Sequence, residues 1–70
     1  LIYQVEQNFT EFLNQVRVNK ASELLLIPAK TVLEAAYEVG YNNPKTFTRN
    51  FLKLKGMTPI TFKQKYTDSF

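Results

Sequence analysis

The stretch Gly40-Tyr41-Asn42-Asn43-Pro44-Lys45-Thr46-Phe47-Thr48-Arg49-Asn50-Phe51 decides the fold of this 70-residue chain. It predicts a tight turn that leads into a helix. Gly40 can adopt the left-handed backbone conformation that ends a preceding helix. Asn43 suits the N-cap, because its side-chain oxygen can accept from a free backbone N–H of the first turn. Pro44 fits the first helical position, where no donor is needed.

The helix that follows Pro44 has two different faces. Its apolar stripe recurs at i, i+4 and i+7 and consists of Phe47, Phe51 and Leu54. The side chains that point the other way are Lys45, Thr48 and Arg49, with Lys53 at the edge of that face. A helix that is held by aromatics and presents cations and a hydroxyl suits insertion into a DNA major groove. An ordinary amphipathic helix with a solvated basic face is the alternative.

The bulk composition bounds the class of protein. Seventy residues allow one small domain, and 44% hydrophobic residues argue against a disordered tail. The sequence contains no Cys, which favours a reducing compartment and hence the cytoplasm. No apolar run is long enough to span a membrane, so we expect no membrane partner. The sequence begins at Leu1 rather than Met, and we expect it to be a fragment of a longer chain.

The net charge of +3 is unevenly distributed. Up to Gly40 there are three Lys/Arg and five Glu, whereas from Tyr41 onward there are six Lys/Arg and one Asp. The positive charge therefore lies on and after the turn. This pattern favours a polyanionic partner. A basic surface that serves solubility alone is the alternative.

A long helix is predicted over residues 9–26. Asn8 followed by Glu11 resembles a capping box that opens it, and Pro28 stops it. Its cations are Arg17 and Lys20, and a solvated position is expected for Lys20. Its apolar side is expected to comprise Phe9, Phe12, Leu13, Val16, Ala21, Leu24 and Leu25.

A second capping box, Thr31 with Glu34, opens a short helix that ends at Gly40. Its packed side is expected to comprise Val32, Ala35, Ala36 and Val39. After the basic helix, Gly56 is a natural C-cap, and Thr58-Pro59 repeats the N-cap and proline pattern. The last helix is expected over residues 59–66, with Phe62 and Tyr66 facing inward and residues 67–70 frayed.

A weak internal echo appears at an offset of 50 residues. The segment Thr58-Pro59-Ile60-Thr61-Phe62 aligns with Asn8-Phe9-Thr10-Glu11-Phe12, and Phe51-Leu52 aligns with Leu1-Ile2. The echo suggests that residues 1–7 are the tail of an earlier recognition helix.

These segments together resemble the AraC/XylS family of transcriptional regulators over residues 8–66. The matching runs are Arg17-Val18-Asn19-Lys20-Ala21-Ser22-Glu23-Leu24-Leu25, Val32-Leu33-Glu34-Ala35-Ala36-Tyr37-Glu38-Val39-Gly40-Tyr41, the pair Phe47 and Phe51, and Gly56-Met57-Thr58-Pro59. The resemblance implies an all-α fold with two helix-turn-helix motifs bridged by a long helix. Residues 1–7 would be a remnant of the first motif, 8–26 the linker helix, 31–55 the second motif and 58–66 a C-terminal helix. Glu6 and Gln7 depart from the family pattern, because they stand where the second unit has Gly56-Met57.

The resemblance also implies roles for individual residues. Base contacts are expected from Lys45, Thr48 and Arg49, and phosphate contacts from Asn43, Thr46, Lys53 and Thr31. The structural core is expected to include Phe47, Phe51, Ala35, Ala36, Val39, Leu24 and Phe62. The expected partners are double-stranded promoter DNA, a regulatory domain elsewhere in the full-length chain and, as a further candidate, RNA polymerase. No cofactor or metal is expected.

Three other classes of function are alternatives to DNA binding. An enzyme is disfavoured, since the sequence contains no His or Cys and its five Glu are scattered. An RNA-binding role is disfavoured, because the aromatics fall on core stripes rather than on an exposed stacking surface. A protein-interaction module is the main rival. Its surface would be the apolar N-terminal segment with Leu1, Ile2, Tyr3 and Val5.

Overall fold

The computed structural model describes residues 2–67, with side chains from residue 8 onward. Four helices follow one another: α1 (Ile2–Leu25), α2 (Val32–Glu38), α3 (Pro44–Lys55) and α4 (Pro59–Thr67). No strand occurs in the described part of the chain, and the predicted all-α class is confirmed. The expectations for the Leu1, Ile2, Tyr3 and Val5 side chains and for residues 68–70 lie outside the described residues. The prediction that the frayed end starts at Thr67 is wrong, because Thr67 is the last residue of α4 and its hydroxyl donates to the Lys63 carbonyl.

The start of α1 differs from the prediction. The helix begins at Ile2 and continues without a break through Asn8, so the predicted capping box of Asn8 and Glu11 is wrong. Residues 2–7 contain neither Gly nor Pro to interrupt a helix, and an N-cap residue must itself leave the helical conformation, which Asn8 does not. The echo between Asn8 and Thr58 therefore does not extend to local structure.

The turn chemistry predicted for α2 and α3 is confirmed. The Thr31 hydroxyl accepts from the Glu34 backbone N–H at 3.1 Å, and the Glu34 carboxylate accepts from the Thr31 N–H at 2.9 Å. Asn43 has an extended backbone, its side chain accepts from the Lys45 N–H at 2.9 Å, and Pro44 is the first helical residue. The side chain of the N-cap residue therefore stabilises the first turn of each of these two helices.

The last helix also begins as predicted. Gly56 ends α3 with φ of 76°, and the Thr58 hydroxyl accepts from the Thr61 N–H at 3.2 Å. The expectation for the end of α4 was only partly right. Tyr66 packs its ring against Phe62 with centroids 4.6 Å apart, yet it is 41% exposed.

The core lies where the four helices meet, and each helix contacts the other three. Its buried members are Val18, Ala21, Leu25, Ala35, Ala36, Tyr41, Phe47 and Phe51. Leu24, Val32, Val39 and Phe62 are partly buried against it. A chain of aromatic contacts runs from Tyr41 through Phe47 and Phe51 to Phe62, with successive centroids 5.3–5.7 Å apart. Leu54, expected in the apolar stripe of α3, is 38% exposed and lies at its edge.

The long helix α1 carries two apolar faces instead of one. Val18, Ala21 and Leu25 face the core, whereas Phe9, Phe12 and Val16 are 62%, 61% and 46% exposed. The expectation that Phe9, Phe12 and Val16 share one apolar side with Ala21 and Leu25 is therefore wrong. At about 100° per residue, the exposed stripe lies on the opposite side of the helix from the buried one. No described element of the chain covers that stripe.

Candidate nucleic-acid interface

The exposed side of α3 is a row of cations. Lys45, Arg49 and Lys53 are exposed and recur every four residues, so they form one ridge about 12 Å long. Arg49 is two positions beyond Phe47, which places it about 200° round the helix from that buried ring. Thr48 and Thr46 are half-buried on the two flanks of the ridge. We call Lys45, Arg49 and Lys53 the basic ridge.

The basic ridge has no internal counter-charge. The sequence of α3 contains four Lys/Arg and no Asp or Glu. Among the described side chains the ridge forms no ion pair, and the pair that is present joins Lys30 to Glu38 at 2.8 Å. Like charges four residues apart weaken a helix by about 0.2–0.5 kcal/mol per pair. The ridge is therefore electrostatically suited to a polyanion supplied from outside.

Other cations of the basic half serve the fold. Lys63 of α4 donates to the carbonyl oxygens of Leu25 at 3.1 Å and of Ile27 at 2.8 Å, which satisfies acceptors at and just after the end of α1. Lys55 donates to the Asn19 side chain at 2.8 Å. Net charge therefore overstates the number of side chains that are free to meet DNA.

Two backbone hydrogen bonds and a left-handed glycine define the turn before α3. The Tyr41 N–H donates to the Ala36 carbonyl at 3.0 Å and the Gly40 N–H to the Tyr37 carbonyl at 3.1 Å, the pattern of a Schellman motif. Gly40 has φ of 104°, and a Cβ there would lie 3.4 Å from the Arg17 guanidinium. The left-handed backbone favours glycine, whereas the distance to Arg17 would be an ordinary van der Waals contact.

Sequence reasoning missed the role of Tyr41 as a junction. Its ring is 5% exposed, packs on Phe47, and lies under the Arg17 guanidinium at 5.5 Å from the ring centroid. Its hydroxyl donates to the Asn14 side-chain oxygen at 2.8 Å and accepts from the Asn50 amide at 3.4 Å. The residue after a Schellman glycine commonly makes an apolar contact back to the helix, and this signal could have identified its burial.

Two of the expected phosphate-contacting residues are already engaged at helix starts. Two hydrogen bonds join Thr31 and Glu34. The one that the Thr31 backbone N–H donates to the Glu34 carboxylate holds the pKa of Glu34 below its ordinary value. A carboxylate held in its charged form beside Thr31 opposes an approaching phosphate. Asn43 uses its side-chain oxygen for the cap, and this bond does not involve its amide N–H donors. The contacts of both residues with phosphate stay predictions.

A shallow cleft of about 170 Å³ lies between α1 and α3. It is lined by Glu11, Asn14, Gln15, Asn50, Lys53 and Leu54. Across residues 2–67, no group of three or more His, Cys, Asp or Glu is arranged to hold a metal ion. Nor is any helix in that range both long and apolar enough to cross a membrane.

Comparison with known protein families places these features in one family. Residues 3–65 match the helix-turn-helix domain of the AraC type. The chain belongs to this family. The match supports DNA binding by an AraC-type helix-turn-helix domain. That α2, the Gly40 turn and α3 form one of its helix-turn-helix motifs stays a prediction.

Three named relatives share the segment. The chain is 42% identical over 53 residues to an uncharacterized HTH-type transcriptional regulator encoded in the cgkA 5′ region of Pseudoalteromonas carrageenovora, covering 76% of this chain and 31% of that protein. It is 36% identical over 62 residues to the uncharacterized HTH-type transcriptional regulator YfiF of Bacillus subtilis, covering 89% and 19%. It is 32% identical over 65 residues to histidine kinase P4 of Formosa agariphila, covering 90% and 5%.

The chain thus spans between 5% and 31% of the length of these relatives. No solved structure matches it significantly.

Proposed function

We propose that this AraC-type domain reads a specific promoter sequence by placing α3 in the major groove of double-stranded DNA. The observation that carries the proposal is the basic ridge, which stands opposite two fully buried aromatic anchors, Phe47 and Phe51. Arg49 lies at the centre of the ridge and has the planar fork of donors that guanine accepts. Lys45 and the half-buried Thr48 complete the proposed base-reading set.

Phosphate contacts are proposed for the residues that flank this set. Lys53 lies at the end of the ridge, and Thr46 lies on its flank beside the N-terminus of α3. Asn43 and Thr31 lie at helix N-termini, where backbone N–H groups favour an anion. Of these four, Lys53 has the strongest support and Thr31 the weakest, because Glu34 is bonded to Thr31.

The complete protein is proposed to be a cytoplasmic transcription regulator that acts through binding and not through catalysis in this segment. The chain has no His and no Cys to serve as general base or nucleophile. A relative named as a histidine kinase carries a matching segment over 5% of its length. By analogy, a regulatory domain elsewhere in the chain would control this reader, and RNA polymerase would be the partner on the promoter.

Substitution of Arg49 tests the proposal. The full natural protein would first select its preferred duplexes from a randomised library. Arg49→Ala is expected to weaken binding to the selected site by about 1–3 kcal/mol and to relax preference at one base pair. Lys53→Ala is expected to weaken selected and random duplexes equally and to flatten the dependence of affinity on salt. Binding is measured by fluorescence anisotropy at about 50 and 200 mM salt.

Lys20→Ala is the matched control, because it removes one exposed charge from α1 away from the ridge. An equal loss for Arg49→Ala on selected and random duplexes would assign Arg49 to phosphate contact. Binding of the wild-type protein that is insensitive to both sequence and salt would instead favour the protein-interaction alternative.

A further inference from the structure

The contacts of Tyr41 differ in kind from those that hold α3 in the core. Phe47 and Phe51 attach α3 through apolar contacts, which are non-directional. Such contacts fix the distance of a helix from the core. They fix its rotation about its own axis less firmly. A hydrogen bond, by contrast, weakens steeply as its angle departs from linear. A directional contact on the flank of α3 would therefore set its rotation.

Tyr41 supplies that contact, because it touches both helices that must be aligned. Its hydroxyl donates to Asn14 of α1 at 2.8 Å and accepts from Asn50 of α3 at 3.4 Å. Its ring is fixed between Arg17 of α1 and Phe47 of α3. The groups are half-buried or buried, so water competes weakly for them.

We propose that Tyr41 is a positioning residue whose hydroxyl sets the rotation of α3 relative to α1, and thereby the direction in which the basic ridge meets the bases. This inference rests on the proposed function of α3 as the reader. Base contacts require side chains to reach particular base edges, whereas phosphate contacts are spread along the duplex and tolerate small rotations. Loss of the hydroxyl should therefore reduce sequence discrimination more than total binding.

Tyr41→Phe is the direct test, because it removes the hydroxyl and keeps the ring and its packing. In the full natural protein, affinity for a duplex selected by the wild type is expected to fall about two- to tenfold, the size of one net hydrogen bond. Affinity for random duplex at the same salt should stay unchanged, and the melting temperature should shift by only a few degrees. The ratio of the two affinities is the readout, since loss of stability alone does not alter it well below the melting temperature.

Asn14→Ala removes the acceptor and tests the same bond from the other helix. It should lower the affinity ratio as Tyr41→Phe does, and the double variant should lose no more than either single variant. Tyr37→Phe is the matched control, because Tyr37 is 51% exposed on α2 and the chemical change is the same. It should leave both affinities unchanged.

The outcomes separate this inference from the function on which it rests. If the wild type selects a site and Tyr41→Phe keeps the wild-type affinity ratio, Tyr41 is structural only and the inference is overturned. Additive losses in the double variant would overturn it too. If the wild type itself selects no sequence, it is the proposed reading function that fails.

Discussion

Phe47 is one of the two fully buried side chains that hold α3 against the core. It is fully buried, and its ring packs between Tyr41 and Phe51 at centroid distances of 5.4 and 5.7 Å. Phe47→Ala is expected to lower the free energy of unfolding by about 3–5 kcal/mol through lost burial and a residual cavity. That is a large share of the stability of so small a domain. DNA affinity should fall as well, because α3 is no longer anchored.

Thermal unfolding of the 70-residue chain checks this prediction, with Phe12→Ala as the matched control. Phe12 is 61% exposed, so the same substitution there should change the melting temperature little. A variant at Phe47 that melts like the wild type but no longer binds DNA would contradict the assignment, since the ring would then face the DNA.

At the same scale, the sequence predicted Phe47 and Phe51 but not Tyr41. The two phenylalanines are four residues apart, a helical spacing that can be seen in a short stretch of sequence. The bond from Tyr41 to Asn14 joins residues 27 positions apart. Its formation depends on how α1 packs against the turn, and no local pattern encodes that. The same holds for Lys63, one of the six cations counted after the turn, which donates to carbonyl oxygens near the end of α1.

Among the elements, α2 depends most on its cap. It has seven residues, too few to be stable without packing and capping. The hydrogen bond from Thr31 holds the pKa of Glu34 below its ordinary value of 4.5. Because the folded-state pKa is lowered, this contribution to stability is fully present above the ordinary value and is lost as pH falls through the folded value.

Glu34→Gln is expected to weaken the dependence of stability on pH, since an amide oxygen can still accept from Thr31 but does not titrate. The measurement is the melting temperature between about pH 6 and pH 3, where capping carboxylates become protonated. The fall in melting temperature as the pH is lowered should be smaller in Glu34→Gln than in the wild type. Glu23→Gln, an exposed change on α1 outside any cap, is the control. If both variants alter the pH profile equally, the cap is not the cause.

The helix starts that were predicted correctly are those of α2, α3 and α4. At each of them a turn precedes the N-cap residue and a helix-forming segment follows it. Thr31, Asn43 and Thr58 each follow a turn and accept a backbone N–H of the helix that they open. Asn8 has the right residue type but follows a helix-compatible segment, so the chain continues helical through it. A cap residue is thus informative only together with what precedes it.

For the whole molecule, the exposed stripe of α1 is the feature that the described fold leaves unexplained. Phe9, Phe12 and Val16 lie opposite the core face of the same helix. A helix that is apolar on two opposite sides is suited to lie between two bodies. Because the matched segment covers only 31% and 19% of the two regulators, we propose that a second helix-turn-helix unit of the complete protein packs on this stripe.

The last prediction follows from that arrangement. A second reader tethered through α1 should raise DNA affinity by about a hundredfold or more through effective concentration. Phe12→Ala should then have different effects in the two contexts. In the 70-residue chain it should leave stability and weak, largely phosphate-driven binding nearly unchanged. In the complete protein it should lower both stability and sequence discrimination, because the substituted ring is buried between the two units and aligns them.

Ile60→Ala is the control, because Ile60 is 58% exposed on α4, away from the stripe. It should behave alike in both contexts. The comparison uses thermal unfolding and binding to one selected duplex at one salt concentration. Equal affinity of the short and complete proteins, with Phe12→Ala equally harmless in both, would mean that the described helices read DNA as a self-sufficient unit and that the stripe has another partner.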